Sequence, residues 1–246
     1  MRLFSWTLLA CVTAFSASAV ADDGKNVNSD VEQQLVDTLQ QAVPGIPVVG
    51  IEKSDLQGFY EITLGNGERV FSRPDMDYFL AGNLFQPTAQ GLINITELKR
   101  DKGRVDLIAT VAPEDKITFS PKDKKAAVTV FTDVDCGYCQ KLHREMDHYL
   151  EAGIEINYMA YPRAGVGSSS YNKIVKAWCA EDKQGAMTRL KSGQSVDSPD
   201  CDNPVAAQYA LARQLGISGT PAIITADGKV IPGFRPAAEL SQLLGL

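Results

Sequence analysis

Between Ser29 and Gln41 the apolar positions Val31, Leu35, Val36 and Leu39 recur at helical spacing, and Pro44 and Pro47 close the segment. The spacing predicts one short helix. The period then changes. Val48 to Ile51, Phe59 to Leu64 and Val70 to Phe71 read as strands, with Gly65-Asn66-Gly67 supplying a tight hairpin turn between the second and third. A helix and a few strands over about 70 residues bury little surface, so such a unit either stands alone or gains stability by pairing with a second copy. Next, Asn94-Ile95-Thr96-Glu97 has the spacing of a capping box, with Asn94 as the cap and Glu97 reaching back. A polar helix to about Val111 follows and stops near Pro113. Gly103 inside it costs about 1 kcal/mol relative to Ala, which predicts a connecting arm able to bend.

From Ala126 the pattern becomes a buried strand, Ala127 to Phe131, that runs into Asp135-Cys136-Gly137-Tyr138-Cys139, and Leu142, Met146, Tyr149 and Leu150 then share one helix face. Strand, Cys-x-x-Cys, helix is the arrangement a redox dithiol needs. The first cysteine sits where unpaired amides and the helix dipole favour a thiolate, and the second lies one turn in, within reach of it. Cys136 is therefore expected to be the accessible thiol and Cys139 the protected one. Near the C-terminus, Gly216 to Pro221 precedes the strand-like Ala222 to Thr225. Asp227-Gly228 forms a turn, Val230 to Phe234 a second strand, and Pro236 opens a last helix. A proline at a strand entrance donates no amide, and a cis bond there leaves neighbouring backbone groups open to an extended substrate.

Composition narrows the class. The chain has 246 residues, 44% hydrophobic and 22% charged, which excludes a disordered chain and a polytopic membrane protein. A net charge of -6 argues against nucleic-acid binding. The N-terminus reads as a secretory signal over residues 1–21: Arg2, the apolar run Leu3 to Phe15, then the small-residue site Ala19-Val20-Ala21. Ser and Thr residues interrupt that run too often for a membrane anchor. Export permits disulfides.

Four of the five cysteines lie in the second half. A zinc site on Cys136 and Cys139 lacks a second close pair, because Cys179 and Cys201 are 22 positions apart. A purely structural bridge from Cys136 to Cys139 closes too tight a loop. Cys179 and Cys201 read as structural, since a ring closed across that separation is worth roughly 3 kcal/mol. His143 reads as a partly exposed helix residue and His148 as an exposed one, while Tyr138 and Tyr161 border the candidate groove or simply pack. Asp135, directly before the nucleophile, is expected to oppose the thiolate that the helix favours.

Phe131-Thr132-Asp133 before the Cys-x-x-Cys, Lys141-Leu142-His143, Tyr161-Pro162-Arg163, Trp178-Cys179-Ala180 and Gly219-Thr220-Pro221-Ala222 together give the chain its family likeness. It resembles the thioredoxin superfamily and, within it, the DsbC/DsbG family of periplasmic thiol:disulfide isomerases. The resemblance implies a mixed α+β and α/β architecture. By the same resemblance a cystatin-like dimerisation domain is expected over residues 22–93, a linker helix over 94–114, and a thioredoxin-like catalytic domain over 115–246 with a helical insertion at about 163–215. It implies that Cys136 attacks, that Cys139 resolves, that Gly137, Tyr138, Thr220 and cis Pro221 shape the substrate groove, and that Cys179 pairs with Cys201. It also implies a V-shaped homodimer pairing through Glu68 to Arg73 and Asp77 to Leu80. The implied partners are misfolded disulfide-containing exported proteins and a membrane reductase of the DsbD type, with no cofactor and no metal. Two competing readings remain, a DsbG-like reductase of sulfenylated cysteines and a dimer acting mainly as a holdase chaperone. A dithiol oxidase of the same fold usually carries Pro-His between its cysteines, against Gly137-Tyr138 here.

Overall fold

A computed structural model describes residues 26–246; the expected signal segment, 1–21, lies outside the described residues. Helix α1 (Asn26–Ala42) exists because Leu35 and Leu39 fall on one face, where they are buried against Tyr60, Ile62 and Leu64. Those three project from strand β2 (Tyr60–Leu64), which lies between β1 (Val48–Lys53) and β3 (Arg69–Ser72) in an antiparallel sheet. The Gly67 backbone, at φ +80°, turns β2 into β3, and a Cβ there would stand 2.8 Å from the Gln214 carbonyl oxygen. Glycine is thus required twice over, by backbone angle and by contact with the second domain.

A fourth strand, β4 (Phe79–Ala81), pairs with β3, because the Met76 amide bonds the Arg73 carbonyl and reverses the chain. Of the two segments expected to carry the pairing edge, Glu68 to Arg73 is therefore an inner strand, and only the Asp77 to Leu80 stretch reaches the edge. The outer edge on that side is β4, flanked by exposed Tyr78 and carrying exposed Leu80.

A separate hairpin of β5 (Phe85–Thr88) and β6 (Gly91–Asn94) leads straight into α2 (Ile95–Ala109). Asn94 caps that helix, its side chain accepting from the Glu97 amide at 3.0 Å. The return half of the expected box is not made: the Glu97 carboxylate accepts instead from Arg100 (3.0 Å) and Arg104 (2.8 Å), whose charges outbid a neutral amide. At its other end α2 packs Leu107 and Ile108 onto the second core, and Arg104 Nε donates to the Leu215 carbonyl at 3.3 Å. The Asp101 carbonyl presses so closely on Gly228 that any side chain there would displace the helix.

The second sheet holds β7 (Ile117–Phe119), β8 (Ala126–Thr132) and β9 (Ile154–Ala160), joined on its far side by β10 (Ala222–Ile224) and β11 (Val230–Pro232). Its order is β11-β10-β8-β9-β7; β8 and β9 run parallel and the other pairs antiparallel. Both faces are covered, so alternate residues feed two cores. Val128, Val130, Ile154, Ile156 and Tyr158 face one, with Leu142, Tyr149, Ile174, Trp178 and Met187. Phe131 and Met159 face the other, with Ala212, Leu215 and Ile217.

Between β8 and β9 lie α3 (Gly137–Arg144) and α4 (Met146–Glu151), the single expected helix being interrupted at Glu145, whose carboxylate accepts from the Ala237 amide at 3.4 Å. Three helices, α5 (Ser169–Trp178), α6 (Lys183–Lys191) and α7 (Val205–Gln214), form the insertion between β9 and β10, and α8 (Ala237–Leu243) closes the chain. No helix among the described residues is long and apolar enough to cross a membrane.

Candidate active site

β8 is buried along its last five residues, so it delivers Asp133 to Cys136 rigidly at the C-terminal edge of the sheet. Cys136 is the N-cap of α3, and its carbonyl accepts the amide of Gln140 at 2.9 Å. Both cysteines of the pair are free thiols. The hydrogen bond offered by Cys139 is the main force drawing the Cys136 thiol down from 9.0 to about 5. Burial opposes it, and the Thr220 side chain, the Cys139 amide and the charge of Arg163 assist. The opposite holds one turn on. Burial pushes the Cys139 thiol far up, and its bond to Cys136 pushes the same way.

Cys136 is not the open thiol expected from the sequence, since both cysteines are buried. Its sulfur is tucked against the chain before β10, within 3.3 Å of the Thr220 carbonyl oxygen. The bond between Thr220 and Pro221 is cis. The Thr220 hydroxyl is buried and without a partner of its own, which leaves its proton for the Cys136 thiolate. Gly137 faces open space, and Tyr138 is 65% exposed on the rim. Tyr161 is buried and stacked on Tyr209 with ring centres 5.2 Å apart, so it packs and does not line the rim.

Charges around the dithiol are arranged in two layers. Asp133, 2% exposed, accepts from the Ser170 hydroxyl, from the Asp135 amide (2.9 Å), and from the Arg163 amide (2.9 Å) and Nε (3.2 Å). Burial raises its carboxyl, but those four bonds outweigh burial and hold it below the usual range. Arg163 is thereby anchored where its charge favours the Cys136 thiolate. Asp135 is held in turn by Lys173 of α5, at 2.8 and 3.0 Å, so a cation 38 positions away opposes the repulsion expected of it.

His143 departs from its expected partial exposure. It is buried between the Tyr158 hydroxyl (3.2 Å) and Thr188 Oγ1 (3.0 Å), and burial, then the charge of Lys191, bring it down to about 4. It is neutral. His148 is exposed as expected. Cys179, the C-cap of α5, is bonded to Cys201, with Cα atoms 5.6 Å apart. Arg163, Lys173 and Lys191 were not singled out in the sequence. Only the Tyr161-Pro162-Arg163 motif offered a signal, and it placed Arg163 without giving it a role.

A thioredoxin-like sheet with a reduced Cys-x-x-Cys capping the helix after β8, beside a cis proline at the start of β10, defines a thiol-disulfide oxidoreductase. Residues 112–246 match the thioredoxin-like domain family, and residues 17–97 match the disulfide bond isomerase protein N-terminal domain family. Thiol:disulfide interchange protein DsbC of Escherichia coli K12 is 32% identical over 239 residues, which cover 97% of this chain and 93% of the relative. The protein of the same name from Salmonella typhimurium LT2 is 33% identical over 243 residues, covering 99% and 94%. Among solved structures, a disulfide interchange protein from Neisseria gonorrhoeae aligns with a TM-score of 0.50 and 26% identity, over 55% of this chain and 96% of its own. The chain belongs to the DsbC family of thiol:disulfide interchange proteins.

Proposed function

We propose that the protein is a periplasmic disulfide isomerase and reductase in which Cys136 attacks a wrong disulfide and either a substrate thiol or Cys139 resolves the mixed disulfide. The observation that carries this reading is the free Cys136 at the N-cap of α3, its sulfur 3.3 Å from the Thr220 carbonyl oxygen beside cis Pro221, with Cys139 buried one turn in; the opposed ionisation of the two thiols, Cys136 drawn down and Cys139 pushed up, agrees with it. A thiolate attacks, and a low-pKa thiolate also leaves readily when a substrate thiol displaces it, which is the isomerising branch. Gly137, Tyr138, Thr220 and Pro221 line the groove, where the open space at Gly137 and the exposed Tyr138 ring admit an extended chain. The Cys179–Cys201 bond is structural. The substrates are misfolded exported proteins, and a membrane thiol reductase of the DsbD type keeps the pair reduced.

The test is recovery of activity from a scrambled-disulfide substrate. The Cys136→Ala, Cys139→Ala protein is expected to lose all recovery. Retained aggregation suppression alongside that loss is compatible with the reading, whereas undiminished recovery would move the function to a holdase chaperone.

In this reading residues 22–93 pair two copies, residues 94–114 link, and residues 115–246 do the chemistry. Support for the pairing comes from the open β4 edge, from Tyr78 and Leu80 at 79% and 50% exposure, and from Leu92 at 71% on the adjoining hairpin. Deleting residues 22–93 is expected to give a folded monomer that reduces small disulfides and isomerises proteins poorly. A fragment still dimeric in sedimentation would place the interface in the catalytic domain.

A further inference from the structure

Lys191, the last residue of α6, is 3% exposed, and both hydrogen-bond partners of its Nζ are uncharged oxygens: Thr132 Oγ1 at 2.5 Å and the Asp133 carbonyl at 2.9 Å. A buried ammonium held only by neutral acceptors is costly unless a negative charge forms close by. Cys139 is the group whose ionisation acts most strongly on Lys191, ahead of Asp133, Cys136 and Asp135. The Thr132 hydroxyl, itself fully buried, accepts from Lys191 and is also a group that favours the Cys139 thiolate, which places it between the two. We infer that Lys191 is a positioning residue for the resolving step, exchanging a proton with Cys139 through Thr132 and then holding the thiolate so formed. The inference rests on Cys139 being the resolving thiol.

In the mixed disulfide Cys136 is bonded to the substrate sulfur and Cys139 is a thiol. The Cys139 proton passes to Thr132 Oγ1 as the Thr132 proton passes to the uncharged Lys191 amine, leaving thiolate and ammonium. The thiolate pair forms the Cys136–Cys139 bond, the bond from Cys136 to substrate breaks, and the substrate sulfur leaves as thiolate. The dithiol is oxidised by two electrons and the substrate disulfide is reduced. Lys191 then sheds its proton into a cavity of about 510 Å³ that it lines with Gln140, His143 and Thr188, and whose rim includes exposed Arg144 and Ser192.

The groups facing Lys191 leave no other base. His143 on α3 is neutral, with both ring nitrogens occupied by Tyr158 and Thr188. The Tyr158 hydroxyl on β9, whose ring centre lies 5.7 Å from Nζ, is pushed well above its ordinary value by burial. Asp133 is held as a carboxylate by its four donors, and Asp135 is paired with Lys173. Cys136 is consumed in the mixed disulfide. Burial brings Lys191 itself down to about 8, so about a tenth of it is uncharged at pH 7.

The experiment uses Ellman's reagent on the full reduced chain and follows two releases of thionitrobenzoate. The first is bimolecular and reports Cys136 attack; the second is unimolecular and reports resolution by Cys139. Lys191→Met is expected to slow the second phase by about a hundredfold and remove its inflection near pH 8, while the first, which Lys191 reaches only through a weaker coupling to Cys136, changes far less. Thr132→Val should reproduce that loss with Lys191 in place, and Thr132→Ser should restore it. A second phase with wild-type rate and pH profile in both Lys191→Met and Thr132→Val would overturn the inference. A wild-type second release in Cys139→Ala would instead overturn the assignment of Cys139 as the resolving thiol, and the role of Lys191 with it.

Discussion

Iodoacetamide added to the reduced protein is expected to modify Cys136 and spare Cys139, at a rate that is flat down to about pH 6 and halved near pH 5. The selectivity comes from ionisation and not from exposure, because both thiols are buried. At pH 7 an ordinary thiol of value 9.0 is about one per cent thiolate, while Cys136 is almost wholly thiolate. That hundredfold gain is nearly cancelled by the lower nucleophilicity of a weaker base, so the rate at pH 7 should match that of a free thiol. The distinction emerges in acid, where the free thiol slows about tenfold per pH unit and Cys136 does not.

The folded value of Cys136 lies below the unfolded one, so its contribution to the stability of the reduced protein is complete above pH 9 and is lost as pH falls through about 5. Mass-spectrometric mapping of adducts across pH decides the matter. Adducts chiefly on Cys139, or a midpoint near 9, would reverse the assignment.

The local features of this site were legible because their causes are local. A buried strand running into Cys-x-x-Cys fixes Cys136 as the cap of α3, and Asn94 announces α2 by its own side chain. What was hidden depends on where distant elements meet. In α6, Lys191 stands two residues after Arg189 at the helix end, and nothing in its own helix marks it for burial. Only the docking of α6 on the end of β8 buries it against Thr132. His143 is likewise buried by Phe119 of β7 and Thr188 of α6, neither of which its own helix reveals. The β5–β6 hairpin carries no sequence signal for the opposite reason: Phe85, Leu92 and Ile93 stay exposed, so no apolar alternation marks it. Asp135 shows the limit of arguing from neighbours in the chain. Its charge sits beside the nucleophile in sequence, but Lys173 of another helix answers it.

Replacing both Cys179 and Cys201 by Ser is expected to destabilise the catalytic domain by about 3 kcal/mol, or a melting temperature lower by about 10 °C, and to leave the chemistry of Cys136 intact. The bond joins the end of α5 to the approach of α7, so the closed ring contains α6 and its cross-link restricts the unfolded chain. The same loop is held to α5 in a second way, through Lys176 Nζ donating to the Ser198 carbonyl at 2.7 Å and Ser198 Oγ donating to the Lys176 carbonyl at 2.9 Å. The buried Ala186, Met187 and Leu190 hold α6 in the core independently of the disulfide, which is why the Lys191 contacts to Thr132 and Asp133 should survive and the two-phase reaction with Ellman's reagent should be unchanged. Thermal melting of both proteins under non-reducing conditions measures the difference. A loss below about 1 kcal/mol would mean that the Lys176 and Ser198 bonds already fix the loop and that the disulfide adds little to them.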